Sequence, residues 1–126
     1  MKIELGNLPD ARLNPNKRLY RSKVWQAKRE AREQAGWLAL EAGVPAQPFQ
    51  KAHITITFVA KDGVRRDVDN LFAAMKGYID GIVDAGVIED DSALNVSYTI
   101  RYERGEKANT IIDIEMRTLC EHNTDG

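Results

Sequence analysis

One cysteine, two histidines and no apolar run approaching the roughly 18–20 residues of a membrane span mark what this 126-residue chain does without. The lone Cys120 excludes an internal disulfide, and with only His53 and His122 beside it there is no zinc-ligand set. Any metal would therefore be bound through oxygen. The start, Met1-Lys2-Ile3-Glu4-Leu5, lacks the apolar stretch of a signal peptide, so the expectation is a cytoplasmic protein without membrane contact. In such a chain the match of Asn95-Val96-Ser97 to a glycosylation pattern is chance. There is no internal repeat and no low-complexity tract.

What is present fits one soluble domain: 43% hydrophobic and 29% charged residues in a length too short for two independent cores. A net charge of −1 taken alone argues against a nucleic-acid partner. Its distribution argues otherwise. Arg12, Lys17, Arg18, Arg21, Lys23, Lys28, Arg29 and Arg32 crowd one stretch opposed only by Glu30, and the balancing acid lies in the second half. A basic segment joined to an acidic cluster suits a metal-dependent enzyme acting on a polyanion, one part holding phosphates and the other the metal. An exposed, solvated helix face accounts for the same charges equally well.

Residues 2–6 read as a short strand and 8–16 as a loop punctuated by Pro9 and Pro15. Ser22 can cap a helix whose Val24, Ala27, Ala31, Ala35 and Leu38 recur at three- and four-residue steps, ending near Gly43, with Trp25 and Trp37 expected as buried anchors rather than base-stacking surfaces. The basic loop and helix together span 8–43. From 52 to 60, Ile54, Ile56 and Phe58 alternate with Thr55 and Thr57 as in a half-buried strand, and Lys61-Asp62-Gly63 makes a turn. Asp69 or Asn70 can cap a second helix with the apolar stripe Leu71, Met75, Ile79, Ile82 and Val83, closed by Gly86. Two further alternating runs follow, 96–102 and 110–116, joined by a turn at 104–107 and read as a hairpin; the tail from 118 to 126 reads as frayed. The expected fold is α+β, a single domain over 1–126 whose mixed sheet of about four strands carries two helices in the order β-α-β-α-β-β, its core at 50–117.

The chemistry concentrates in Arg65-Arg66-Asp67-Val68-Asp69-Asn70 and Glu89-Asp90-Asp91-Ser92. Asp67 and Asp69 are two apart, so in an extended segment both carboxylates leave one face and repel unless a proton or cation lies between them. A hard divalent ion takes oxygen ligands and needs few protein carboxylates, so Asp91 as a third would be enough. A helix of about 15 residues is roughly 22 Å long, so the chain must fold back after Gly86 for Asp91 to join the others. The plain alternatives are that Asp67 and Asp69 cap a helix, worth about 1 kcal/mol, and that Asp90-Asp91 is a turn. An EF-hand is excluded because Leu71 and Phe72 stand where that loop needs an oxygen ligand and a glycine. His53 reads as structural and Cys120 as incidental.

RRDVDN at 65–70, the following helix DNLFAAMKGYIDGIVDAGVI and EDDS at 89–92, with the preceding strand ITITF, resemble the RusA family of Holliday junction resolvases. The resemblance implies a homodimer, dependence on Mg²⁺ with Mn²⁺ as a substitute, and paired symmetric cuts that resolve four-way DNA junctions in recombination and repair. Carried onto this chain, it implies Asp67, Asp69 and Asp91 as metal-binding acids, with Asp90 beside them. The family lysine lies three residues after the motif's asparagine, where this chain has Ala73. The interval to the Asp-Asp pair is also about three residues longer here, and an insertion of one helical turn restores both alignments by making Lys76 the equivalent. Arg65 and Arg66 flank the acids and suit adjoining phosphates, while Lys17, Arg18, Arg21 and Lys23 suit the arms of branched DNA. Two alternatives stay open: a junction-binding protein that does not cut, and a nuclease for other branched DNA such as flaps or forks.

Overall fold

The strand Ala52–Ala60 (β2) organises the molecule, because its alternating side chains leave one face wholly apolar. Ile54, Ile56 and Phe58 are fully buried, while His53, Thr55 and Thr57 stand half-exposed on the other face. In the computed structural model, which describes residues 1–117, β2 lies second from one edge of a four-stranded sheet. Lys2–Glu4 forms β1, Val96–Arg104 β3 and Asn109–Met116 β4, in the spatial order β1-β4-β2-β3. β3 runs parallel to β2 and β4 antiparallel to it, so the sheet is mixed. The expected fold class holds: a small α+β domain with its helices packed on a four-stranded sheet. The tail expected to fray, with Cys120 and His122, lies outside the described residues.

The expected hairpin is not one. The chain does reverse between β3 and β4, but the two strands never pair, because β2 lies between them. The connection arches over the end of β2, where the Gly105 amide donates to the Ala60 carbonyl at 3.0 Å. A Cβ on Gly105 would fall 2.7 Å from Cγ1 of Val59, so a larger residue there would have to displace that side chain. Alternation reports which face a strand buries and not which strand it pairs with.

Arg21–Ala42 forms α1, with Tyr20 at its N-cap and no side-chain cap; Ser22 lies inside the first turn instead of capping it. Ala27, Ala31, Ala35 and Ala39 line its buried side. The second helical stretch is bent rather than continuous. Val68–Ala73 (α2) gives way to Lys76–Asp84 (α3) through a tight i→i+3 hydrogen bond from the Met75 amide to the Phe72 carbonyl. α2 buries none of its side chains, whereas α3 buries Tyr78, Ile79 and Ile82. The bend lets α3 pack into the core while α2 swings toward β3. There Phe72 meets Tyr98 edge-on at 4.9 Å.

α1 and α3 pack backbone to backbone. A Cβ built on Gly81 would lie 2.1 Å from the Arg32 carbonyl oxygen, and one on Gly77 3.2 Å from that of Lys28. This closeness corrects the expectation for the tryptophans. With alanines and glycines filling the seam there is no space for an indole, and Trp25 and Trp37 remain 70% and 67% exposed.

Candidate active site at the edge of the sheet

The candidate site lies where α2, the start of α3 and the loop after α3 meet the edge strand β3. Its approach begins at Asp62, whose carboxylate accepts from the Val64 amide and from the Arg66 guanidinium at 2.8 Å. Arg66 in turn reaches the Tyr102 hydroxyl on β3 at 3.3 Å, which fixes the segment leading into the aspartates. The Arg66 guanidinium, followed by the Val64 amide, pulls the Asp62 carboxyl down to about 2. Arg65 beside it is exposed and makes no ion pair among the described residues.

Asp67 has extended backbone and occupies the N-cap of α2, while Asp69 lies within the first helical turn. The two therefore do not share an extended segment, and the cap falls at Asp67 rather than at Asp69 or Asn70. Asp67 nevertheless caps nothing with its side chain. It borders a hollow of about 320 Å³ between the start of α2 and the loop at Leu8, Pro9 and Asp10. That loop holds a short 3₁₀ turn, Ala11–Leu13, tied to α3 by the Asp10 amide donating to the Tyr78 hydroxyl at 3.0 Å. Both aspartates are exposed. Two anionic groups at a helix start, neither tied down by a neighbour, are favoured by the dipole and open to a ligand.

Asp91 is positioned by a different device. Gly86, with φ of +92°, turns the chain out of α3. Val87 and Ile88 then bury, and Ile88 bridges in parallel to Phe49. The return path that Asp91 needs is thus built from a glycine turn, two core side chains and a bridge. Asp90 closes the loop, accepting from the Ser92 amide at 2.6 Å; this bond lowers its pKa and makes it a turn-former. Asp91, half-buried, instead meets Lys76, which donates to it at 2.6 Å and to Asp80 at 2.9 Å.

Lys76 heads α3 because of the bend, and so faces the returning loop rather than lying along a straight helix. Its two carboxylate partners, Asp91 first and Asp80 second, raise its pKa well above the ordinary lysine value. The two carboxylates thus favour its charged form. Asp80 went unnoticed in the sequence, although its i,i+4 spacing from Lys76 is the signal for such a pair. Tyr98 joins the two halves: its ring packs on Phe72, one turn after Asp69, and its hydroxyl is shifted upward by burial first and then by Asp91 and Asp80.

The structure therefore brings Lys76 and Asp91 together, and brings both to the strand against which α2 packs. It does not gather Asp67, Asp69 and Asp91 into one group: among the described residues no three His, Cys, Asp or Glu side chains form a metal-holding cluster. Lys17, Arg18, Arg21 and Lys23 lie exposed at and before the start of α1. His53 is held between the Ser97 and Thr99 hydroxyls at 2.7 and 2.8 Å on the far face of the sheet. Among the described residues no helix is long and apolar enough to cross a membrane. No protein-family model matches the chain, and no curated protein matches it.

Proposed function

We propose that this protein is a divalent-metal-dependent endodeoxyribonuclease of the RusA kind, a homodimer that resolves four-way DNA junctions by paired symmetric cuts. The observation that carries this reading is the 2.6 Å contact between Lys76 and Asp91. It ties the EDDS loop to the helix that follows RRDVDN, through the lysine that an inserted helical turn would put in the family position.

The donors suit a hard cation. Asp67 and Asp69 make no side-chain cap or ion pair among the described residues, and every candidate ligand is a carboxylate oxygen. The three acids are not gathered in this structure, where Asp91 is held by Lys76, so a Mg²⁺ or Mn²⁺ ion would have to draw Asp91 toward Asp67 and Asp69; held so, it would neutralise charge at the scissile phosphate and make a bound water more acidic. Lys76, protonated, supplies positive charge to the developing transition state. Arg66, braced by Asp62 and Tyr102, orients the motif, and Arg65 is left to meet a neighbouring phosphate. Lys17, Arg18, Arg21 and Lys23 offer the salt-sensitive grip on DNA arms. Opposing strands of a junction are cut in matched positions, and an isologous dimer supplies two sites in that relation.

A second reading, a junction-binding protein that does not cut, is favoured by the separation of Asp91's lysine clamp from the Asp67–Asp69 pair and by Ala73 at the family's usual lysine position. Incubating a labelled four-way junction with and without Mg²⁺ or Mn²⁺ separates the two. The nuclease gives paired symmetric nicks only with metal. Tight binding without cleavage in either ion defeats it. Rates on flaps and forks at one salt concentration rank the branched substrates.

A further inference from the structure

Trp25 is a large apolar side chain left 70% exposed on a helix whose other face is closed against α3. Its neighbours along that face are basic. Arg21 lies one turn before it, and Lys28 and Arg29 one turn after. None of these three cations makes an ion pair among the described residues, whereas Arg32 is taken by Asp84 and Lys76 by Asp80 and Asp91. Beside Trp25 opens a hollow of about 460 Å³ bounded by Lys28, Arg29, Gly77, Asp80 and Lys76. Gly77 contributes no side chain to its floor. Lys76 lines this hollow and also makes the Asp91 contact, so one side chain links the hollow beside the indole to the candidate active site.

We propose that Trp25, with Lys28 and Arg29, is a stacking platform for an unpaired nucleic-acid strand running into the Lys76–Asp91 site, a role that rests on the nuclease reading for its purpose. An exposed indole offers a flat face to any base regardless of sequence, and adjacent cations hold the backbone. Bases inside a duplex are stacked on each other and present only edges, so the indole selects a strand that has left its partner, as strands do near a branch point. A second copy of the chain is a poor occupant: two-fold apposition of this face brings Arg21, Lys28 and Arg29 of one copy, unpaired among the described residues, up to the same cations of the other.

The test is binding without divalent metal, so cleavage plays no part in it. Wild type, Trp25→Ala and Trp25→Phe are titrated against a single-stranded oligonucleotide and a blunt duplex across several salt concentrations. Trp25→Ala should weaken single-strand binding roughly 10-fold or more, with duplex affinity within about twofold and an unchanged salt slope. Trp25→Phe, which retains a flat ring, should restore most of the loss. Wild type that ignores single strands, or Trp25→Ala that matches wild type or loses both substrates alike, overturns the platform. Junction cleavage by wild type together with unaltered strand binding by Trp25→Ala would sink the platform and leave the nuclease standing. A Trp25-dependent strand affinity in a protein that never cuts would do the reverse.

Discussion

Gly77 and Lys76 are neighbours in the chain and both border the hollow beside Trp25, yet they make opposite kinds of contact. Gly77 faces the seam between α1 and α3, where Gly81 and the alanines of α1 let two backbones touch. Lys76 faces the edge, where Asp91 and Asp80 share one ammonium and Asp67 and Asp69 have none. The seam is lined by alanines and glycines, which bring no charge to it. At the edge, negative charge exceeds the positive charge set against it. The difference teaches where to look for work done on a ligand: a protein that can close a joint as tightly as the seam has left the edge unbalanced. Substitutions at the seam should therefore change stability, and those at the edge should change activity.

The largest expected effect is at the edge. Asp69→Asn removes charge from an exposed side chain that supports no contact, and should lower junction cleavage on the order of 1000-fold, about 4 kcal/mol in the barrier. Its melting temperature should match wild type in a thermal scan. Equal cleavage, or an unfolded variant, would break the contrast. Gly81→Val probes the seam, since its Cβ falls 2.1 Å from the Arg32 carbonyl. Overpacking of this kind costs roughly 3 kcal/mol and should lower the melting temperature by on the order of 10 °C. Gly36→Ala is the sharpening control, because its Cβ would meet the Gly81 carbonyl at an ordinary 3.5 Å and the variant should melt no lower than wild type.

Lys76→Met comes next, with a cleavage loss of about 100-fold, roughly 2.7 kcal/mol, and little change in melting. A melting loss comparable to that of Gly81→Val would mean that Lys76 belongs to the packing after all. The smallest effect is electrostatic. Asp62 titrates at about 2 beside Arg66, so its ion pair contributes above the ordinary carboxylate range and fades as pH falls through about 2. In Arg66→Ala the Asp62 carboxyl should rise toward the usual aspartate value of about 3.9 while staying below it, since the Val64 amide still donates to it, in a carbon-detected NMR titration. An unmoved midpoint would remove Arg66 from the brace.

Strand β2 was legible because a two-residue period survives any pairing, and Ile54, Ile56 and Phe58 bury as that period requires. The same period in β3 and β4 could not show that β2 inserts between them, since a turn specifies reversal and not adjacency. The exposed tryptophans were misjudged for a related reason: helical spacing identifies the buried side of α1, but only the glycines of α3 reveal how little room that side contains. Lys76 was readable through its motif and spacing, whereas the bend that aims it at Asp91 depends on Met75 being drawn into the core. Asp80 was within reach of the i,i+4 rule.

Whether Asp69 and Asp91 serve one cation is the central claim, and it is tested most directly by Mn²⁺ binding to wild type, Asp69→Asn and Asp91→Asn, followed by electron paramagnetic resonance of the free ion. A shared site should weaken about equally in both variants while each remains folded. Wild-type affinity in Asp91→Asn beside lost affinity in Asp69→Asn would contradict it, leaving Asp91 as no more than the partner of Lys76.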